Sequence, residues 1–225
     1  QRQMCIRDRA SADASFRRYF RIDGRDGPRI VMDAPPAHED CRPFVGVAAL
    51  LRGGGLEAPD VLSWDEPHGF MLLSDLGATT YLEAIRRADP AQSNALYLAA
   101  LDALVQLQRI DAQAQVPNYD RALLQRELDL FPTWYIERHC GQRLDDKALA
   151  QLQRCFALIL DACTVQPAVL VHRDYHSRNL MLPREPGGPP GLLDFQDAVW
   201  GPVSYDLASL LRDAYVEWDE STQLD

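Results

Sequence analysis

The sequence predicts an α+β fold in two unequal lobes, a small mainly β part over residues 12–76 and a larger mainly helical part over 77–225. Three observations carry this. The early chain alternates large apolar and polar residues in short runs divided by Gly/Pro turns, which is strand patterning. After Gly77 the apolar residues recur with a helical period of about 3.6 through four long segments. Late in that helical half two short apolar pieces, "AVLVH" and "GLLDF", break the helical pattern and read as strands.

In chain order, "ASFRRYFRI" and "RIVMDAPP" flank the turn sequence "DGRDGP" and form a β-hairpin. "CRPFVGVAALLRGGG" is a helix with Phe44, Val47, Ala48 and Leu51 on one face, ended by Gly53 to Gly55. "DVLSWD" and "GFMLLSDLG" are two further strands around Glu66 to Gly69. The helical segments are "TTYLEAIRRAD", "PAQSNALYLAALDALVQLQRI", "YDRALLQRELDLFPTWYIERH" and "DDKALAQLQRCFALILDA", and a last helix starts near Ser204. The opening "QRQMCIRDR" has neither apolar period nor turn chemistry, so residues 1–11 are set outside the fold as a non-native or disordered leader.

Composition narrows the functional classes. A formal net charge of -10 disfavours nucleic-acid or anionic-membrane partners, which need clustered positive charge. No apolar run reaches the length of a membrane span. Five scattered cysteines without a C-x-x-C pair fit a reducing cytoplasm. Lys147 is the sole lysine, so 22 of the 23 basic residues are Arg, and this limits which cations a site can use.

The chemistry concentrates in "VHRDYHSRN". His172, Asp174 and Asn179 match the H-x-D-x-x-x-x-N catalytic loop of kinases. Asp194 follows 194 − 179 = 15 residues later, at the end of the second strand piece. Asn179 and Asp194 offer oxygen ligands to a hard cation such as Mg²⁺, and Asp174 can serve as a base toward an acceptor hydroxyl. Asp206, at a helix start after Gly201-Pro202, is placed where a carboxylate is favoured by unpaired N–H groups.

With these residues the chain resembles the aminoglycoside phosphotransferase-like family of small-molecule kinases, which have a protein-kinase-like two-lobed fold. The likeness rests on "VHRDYHSRN" and "LLDFQDAVWGPVSYDLASLL". "ADASFRRYFRI", "VMDAPP" and "GFMLLSDLG" are further similar to bacterial cell-wall sugar kinases acting on the anomeric hydroxyl of N-acetylmuramate and N-acetylglucosamine. The resemblance covers residues 12 to 218 and implies a C-terminally truncated member. It implies an ATP- and Mg²⁺-dependent enzyme with Asp174 as base, Asn179 and Asp194 on the metal, and His172 and Asp206 supporting the loop. ATP would sit between the lobes against Leu73 to Leu76, with Ser74 and Leu76 in contact. The implied partner is a small-molecule sugar, with no obligate protein partner. Alternative acceptors are an aminoglycoside, choline or homoserine, and the remaining alternative is an inactive nucleotide-binding fragment.

The pattern also departs from kinases. Asp194-Phe195-Gln196 stands for D-F-G, and the third strand reads Ile30-Val31-Met32-Asp33 where kinases carry a Lys. Ser15, Arg17 and Arg18 are the expected substitutes for phosphate contact, with Arg21 nearby, because Arg can bind phosphate through two parallel hydrogen bonds. Trp134, Tyr135 and His139 are expected to pack into the core or to stack on a sugar. Glu127 and Asp129 read as helix-surface charges.

Overall fold

The computed structural model describes residues 6–11 (as backbone), 16–24, 27–185 and 187–218. Five antiparallel strands form the N-terminal sheet: β1 (Ile6–Ser11), β2 (Arg18–Gly24), β3 (Gly27–Asp33), β4 (Val61–Asp65) and β5 (Phe70–Ser74). Their order across the sheet is β1-β2-β3-β5-β4. β2 and β3 are the expected hairpin, in continuous register from Arg18 opposite Asp33 to Gly24 opposite Gly27. The β4–β5 turn closes on Gly69, whose φ of +74° favours glycine and where a Cβ would lie 2.1 Å from the Ala34 carbonyl oxygen.

One expectation changes here, and one falls outside the described residues. Ile6–Ser11, set aside as part of a leader, is paired with β2 as the edge of the sheet. Strand pairing runs through backbone groups, so an edge strand needs no apolar period to form. Ser15 lies outside the described residues.

Helix α1 (Arg42–Gly53) buries the four predicted positions Phe44, Val47, Ala48 and Leu51 against the sheet residues Met32, Met71 and Leu73. The same cluster continues through Tyr175, Leu180, Leu192 and Phe195, so one apolar core runs from the sheet to the catalytic segment.

The second part is built from α2 (Tyr81–Ile85), α3 (Pro90–Gln108), α4 (Arg121–Leu128), a π-helix (Phe131–His139), α5 (Asp146–Thr164) and α6 (Tyr205–Leu211). Start signals explain several boundaries: Thr80 with Glu83 and Asp89 with Gln92 form reciprocal capping boxes for α2 and α3. The single helix expected over "YDRALLQRELDLFPTWYIERH" is two. Pro132 has no N–H to donate to the Leu128 carbonyl, so α4 ends there and the chain resumes with wider bonds, such as Cys140 N–H to the Tyr135 carbonyl at 2.9 Å. In this geometry Phe131, Tyr135 and His139 stack in a row on the surface, with centroids 5.4 and 5.5 Å apart. Trp134 and Tyr135 are about half exposed, so neither is a core residue.

Four short strands frame the segment of His172, Asp174, Asn179 and Asp194: β6 (Ala168–Val171), β7 (Leu180–Met181), β8 (Gly191–Leu192) and β9 (Val199–Pro202). "AVLVH" and "GLLDF" do not pair with each other. β6 pairs with β9, and β7 with β8 across the Pro/Gly turn.

His172 follows β6 and is fully buried, its ring edge-on to Tyr175 and Phe195 at 5.7 and 6.5 Å. Burial, reinforced by the nearby His176, lowers its pKa from 6.5 to about 3, so the folded protein holds it neutral. Tyr175 is equally buried and its hydroxyl donates to the Ala100 carbonyl of α3 at 2.7 Å. No helix among the described residues is long and apolar enough to cross a membrane.

Two outcomes follow from this packing. Tyr175→Phe removes the hydroxyl bond to the Ala100 carbonyl, which keeps its place in the α3 ladder, and should lower the unfolding free energy by about 0.5–1.5 kcal/mol in urea titration. The His172 contribution is complete above the unfolded pKa and is lost as pH falls below 6.5, because only the unfolded chain then takes up the proton. Stability should therefore fall less steeply between pH 6.5 and 4.5 in His172→Leu than in the parent, and parallel curves would remove this linkage.

Candidate active site

The site is assembled by the loop between β6 and β7 and by the end of β8. Arg173 has φ +76°, a left-handed conformation that turns the chain sharply after His172. That turn points two successive amides at one acceptor: His172 N–H donates to Asp206 Oδ2 at 2.6 Å and Arg173 N–H to Oδ1 at 3.0 Å. Asp206 lies in the first turn of α6 and is almost wholly buried. Burial pushes its carboxyl up to about 7 against the downward pull of the two amide bonds, with the Asp174 charge adding to the rise. A second acid repeats the device four residues on, where Ser177 N–H donates to Asp213 Oδ2 at 2.9 Å.

Between these anchors hydrogen bonds link Asp174, Asn179 and the segment of Asp194. Asn179 Nδ2 donates to the Asp174 carbonyl at 3.0 Å, which leaves its Oδ1 free of that bond. The Asn179 carbonyl accepts from Leu193 N–H at 3.0 Å, which sets the loop beside the segment bearing Asp194. Asp194 itself has φ +63°, and its Oδ1 accepts from Gln196 Nε2 at 2.8 Å. The Asp174 pKa is raised, first by burial and then by the charge of Asp194.

Asn179 and Asp194 open into a cavity of about 450 Å³ between the lobes. Tyr19, Ile30, Leu73 and Met181 give it apolar walls, and Ser74, Asp75, Leu76 and Gly77 form its rim at the interlobe crossing. Ser74 and Leu76, expected from sequence, line it; Leu76 also lines a separate hollow of about 480 Å³ behind the crossing, walled by Arg52, Arg184 and Glu185. An apolar slot with a backbone rim suits a flat base, and two oxygen donors at its inner end suit a hard cation sharing phosphate oxygens.

The basic residues are distributed differently from the sequence reading. Arg17 Nε pairs with Glu39 at 3.0 Å and Arg18 pairs with Asp33, and neither is among the described residues lining the cleft. Arg21 does line it, clamped to both oxygens of Asp75 at 2.6 and 3.1 Å and to the Gly77 carbonyl at 2.6 Å. Glu127 is not a simple surface charge. It accepts from Arg173 across 46 residues of sequence at 2.5 Å, and no local spacing announces that pair.

The comparisons agree with this geometry. The chain matches the family profile described as phosphotransferase enzyme family over residues 8–225. It is 52% identical over 211 residues to an N-acetylmuramate/N-acetylglucosamine kinase of Pseudomonas aeruginosa, covering 94% of this chain and 61% of the relative. It is 44% identical over 218 residues to the enzyme of the same name from Neisseria meningitidis serogroup B, covering 96% and 64%. The chain thus spans about three fifths of the length of these curated relatives. Among solved structures it is similar to ADP-bound aminoglycoside phosphotransferase APH(2'')-Ib, with TM-score 0.66 and 14% identity, covering 97% of this chain and 75% of that one. The phosphotransferase APH(3'')-Id of Streptomyces rimosus gives TM-score 0.63 at 17% identity, covering 92% and 79%. This likeness establishes the two-lobed, protein-kinase-like fold, and with the profile match over nearly its whole length the chain belongs to the phosphotransferase enzyme family.

Proposed function

We propose that the chain carries the catalytic machinery of an ATP-dependent kinase acting on a sugar hydroxyl, the anomeric hydroxyl of N-acetylmuramate or N-acetylglucosamine. The observation that carries this is that Asn179 and Asp194 line one apolar interlobe cleft while the Asn179 side chain is bonded to the backbone carbonyl of Asp174. The names of the two relatives support the choice of acceptor. The lobes divide near residue 76, with the nucleotide side before it and the catalytic side after it. Thiols at all four described cysteines accord with a cytoplasmic setting.

In this reading Asp174 accepts the hydroxyl proton and orients the oxygen for in-line attack. Its raised pKa makes it a stronger base than an ordinary carboxylate, and an anomeric hydroxyl is more acidic than a common alcohol. Asn179 Oδ1 and the Asp194 carboxylate would hold Mg²⁺. When bound, Mg²⁺-ATP supplies the phosphoryl group and offsets its charge. Ser74 and Leu76 would bound the base at the rim. Arg17 and Arg18 are paired with Glu39 and Asp33 away from the cleft lining, whereas Arg21 lines the cleft.

Asp174→Asn keeps the shape of the site and removes the base. It should lower the rate of phosphoryl transfer to N-acetylmuramate by about 10²–10⁴-fold while ATP binding, read by calorimetry, stays within about threefold. Turnover close to the parent rate would defeat the assignment. The parent should prefer the acetylated sugars over kanamycin, choline and homoserine in the same radiolabelled-ATP assay, and the opposite preference would move the proposal to another acceptor class.

A further inference from the structure

The geometry points to Glu127 as the positioning residue of the catalytic loop, acting through Arg173 on Asp174; this rests on the kinase reading above. Arg173 is the residue that bends the loop, and Asp206 fixes only its backbone. Its side chain is fixed by Glu127 of α4, whose Oε1 takes the guanidinium at 2.5 Å. The other oxygen, Oε2, accepts the hydroxyls of Tyr119 and Tyr205, the latter at 3.3 Å. Both phenol pKa values are raised, burial being the main cause, so both rings stay protonated donors. Both oxygens of this carboxylate are thus bonded to groups on other segments of the chain.

The supports of this clamp are rigid. Tyr119 N–H donates to the Trp200 carbonyl of β9 at 2.8 Å, and its side chain lies against Gly201, where a Cβ would come within 2.7 Å of the Tyr119 Cβ and 3.0 Å of its ring. Tyr119 and Tyr205 pack at 5.1 Å between centroids, and the Arg173 guanidinium sits 5.7 Å from the Tyr119 centroid. Arg173 and Glu127 side chains are about one quarter exposed, enough cover to weaken solvent screening of the pair. A left-handed non-glycine residue persists only where its surroundings over-determine it, and here the amide and the guanidinium are held from two directions. Kinases that order a loop by phosphorylation add an anion to meet an arginine. In this chain a fixed carboxylate already occupies that role, so the loop is held without modification.

The test uses the full chain. Glu127→Gln keeps the shape and an acceptor for the tyrosines but removes the charge that holds Arg173. Amide exchange over residues 172–179 should quicken about tenfold, with exchange in α3 and the N-terminal sheet unchanged. The turnover number should fall about 10–100-fold with KM for ATP within about threefold, since a displaced base costs rate and not nucleotide affinity. Arg173→Met should give the same loss, and the double variant should be no worse than either single one. If Glu127→Gln does not fold, Tyr205→Phe, which removes one donor to Glu127 and leaves the ion pair, should show the exchange change on a smaller scale. Unchanged exchange over 172–179, or losses that multiply in the double variant, would overturn the assignment. The exchange readout needs no substrate, so a parent inactive on every sugar would refute the proposed function and leave this test standing.

Discussion

The Asp206 carboxylate, buried at the start of α6 and bonded to the amides of His172 and Arg173, is the interaction on which the rest of the site depends. It joins chain segments more than thirty residues apart and compels β6 to end in a tight turn instead of running on. A buried carboxylate is costly unless its oxygens are bonded, and removing either amide from its reach would expose that cost. The turn therefore has one favourable geometry, and Asp174 follows directly after it.

From that fixed point the other oxygens follow by backbone bonds. Asn179 is tied to Asp174 through its side chain and to Leu193 through its carbonyl, and Leu193 precedes Asp194. Asp174, Asn179 and Asp194 are thus linked by short covalent and hydrogen-bonded paths, not by opposed surfaces free to drift. Phe195 and His172 extend the same arrangement into the core shared with α1, so the position of the sheet and the position of the catalytic loop are coupled through packing. Arg21 ties the sheet to the crossing segment at Asp75 and Gly77, which sets the rim of the cleft from the other side.

Much of this could be read in the sequence, because strand alternation, capping residues and the spacing of Asp174, Asn179 and Asp194 are local signals. Helix α1 is an example: four apolar positions at helical spacing are the four that are buried. What stayed hidden was non-local. Nothing near Glu127 indicates Arg173 as its partner, and nothing near Arg17 or Arg18 indicates that Glu39 and Asp33 hold them. The pairing of β6 with β9 was missed because Val199–Pro202 is short, holds Gly and Pro, and carries no alternation. The π-helix was missed because its apolar spacing resembles an α-helix until Pro132 is weighed as a missing donor.

In the proposed function Asp174, Asn179 and Asp194 act together on the terminal phosphate. The most direct measurement is a crystal structure with Mg²⁺ and a non-hydrolysable ATP analogue. The account predicts the cation bonded at about 2.1 Å to Asn179 and Asp194, with the terminal phosphate facing Asp174. A nucleotide whose phosphates lie away from these residues, with the cation held by other groups, would contradict it.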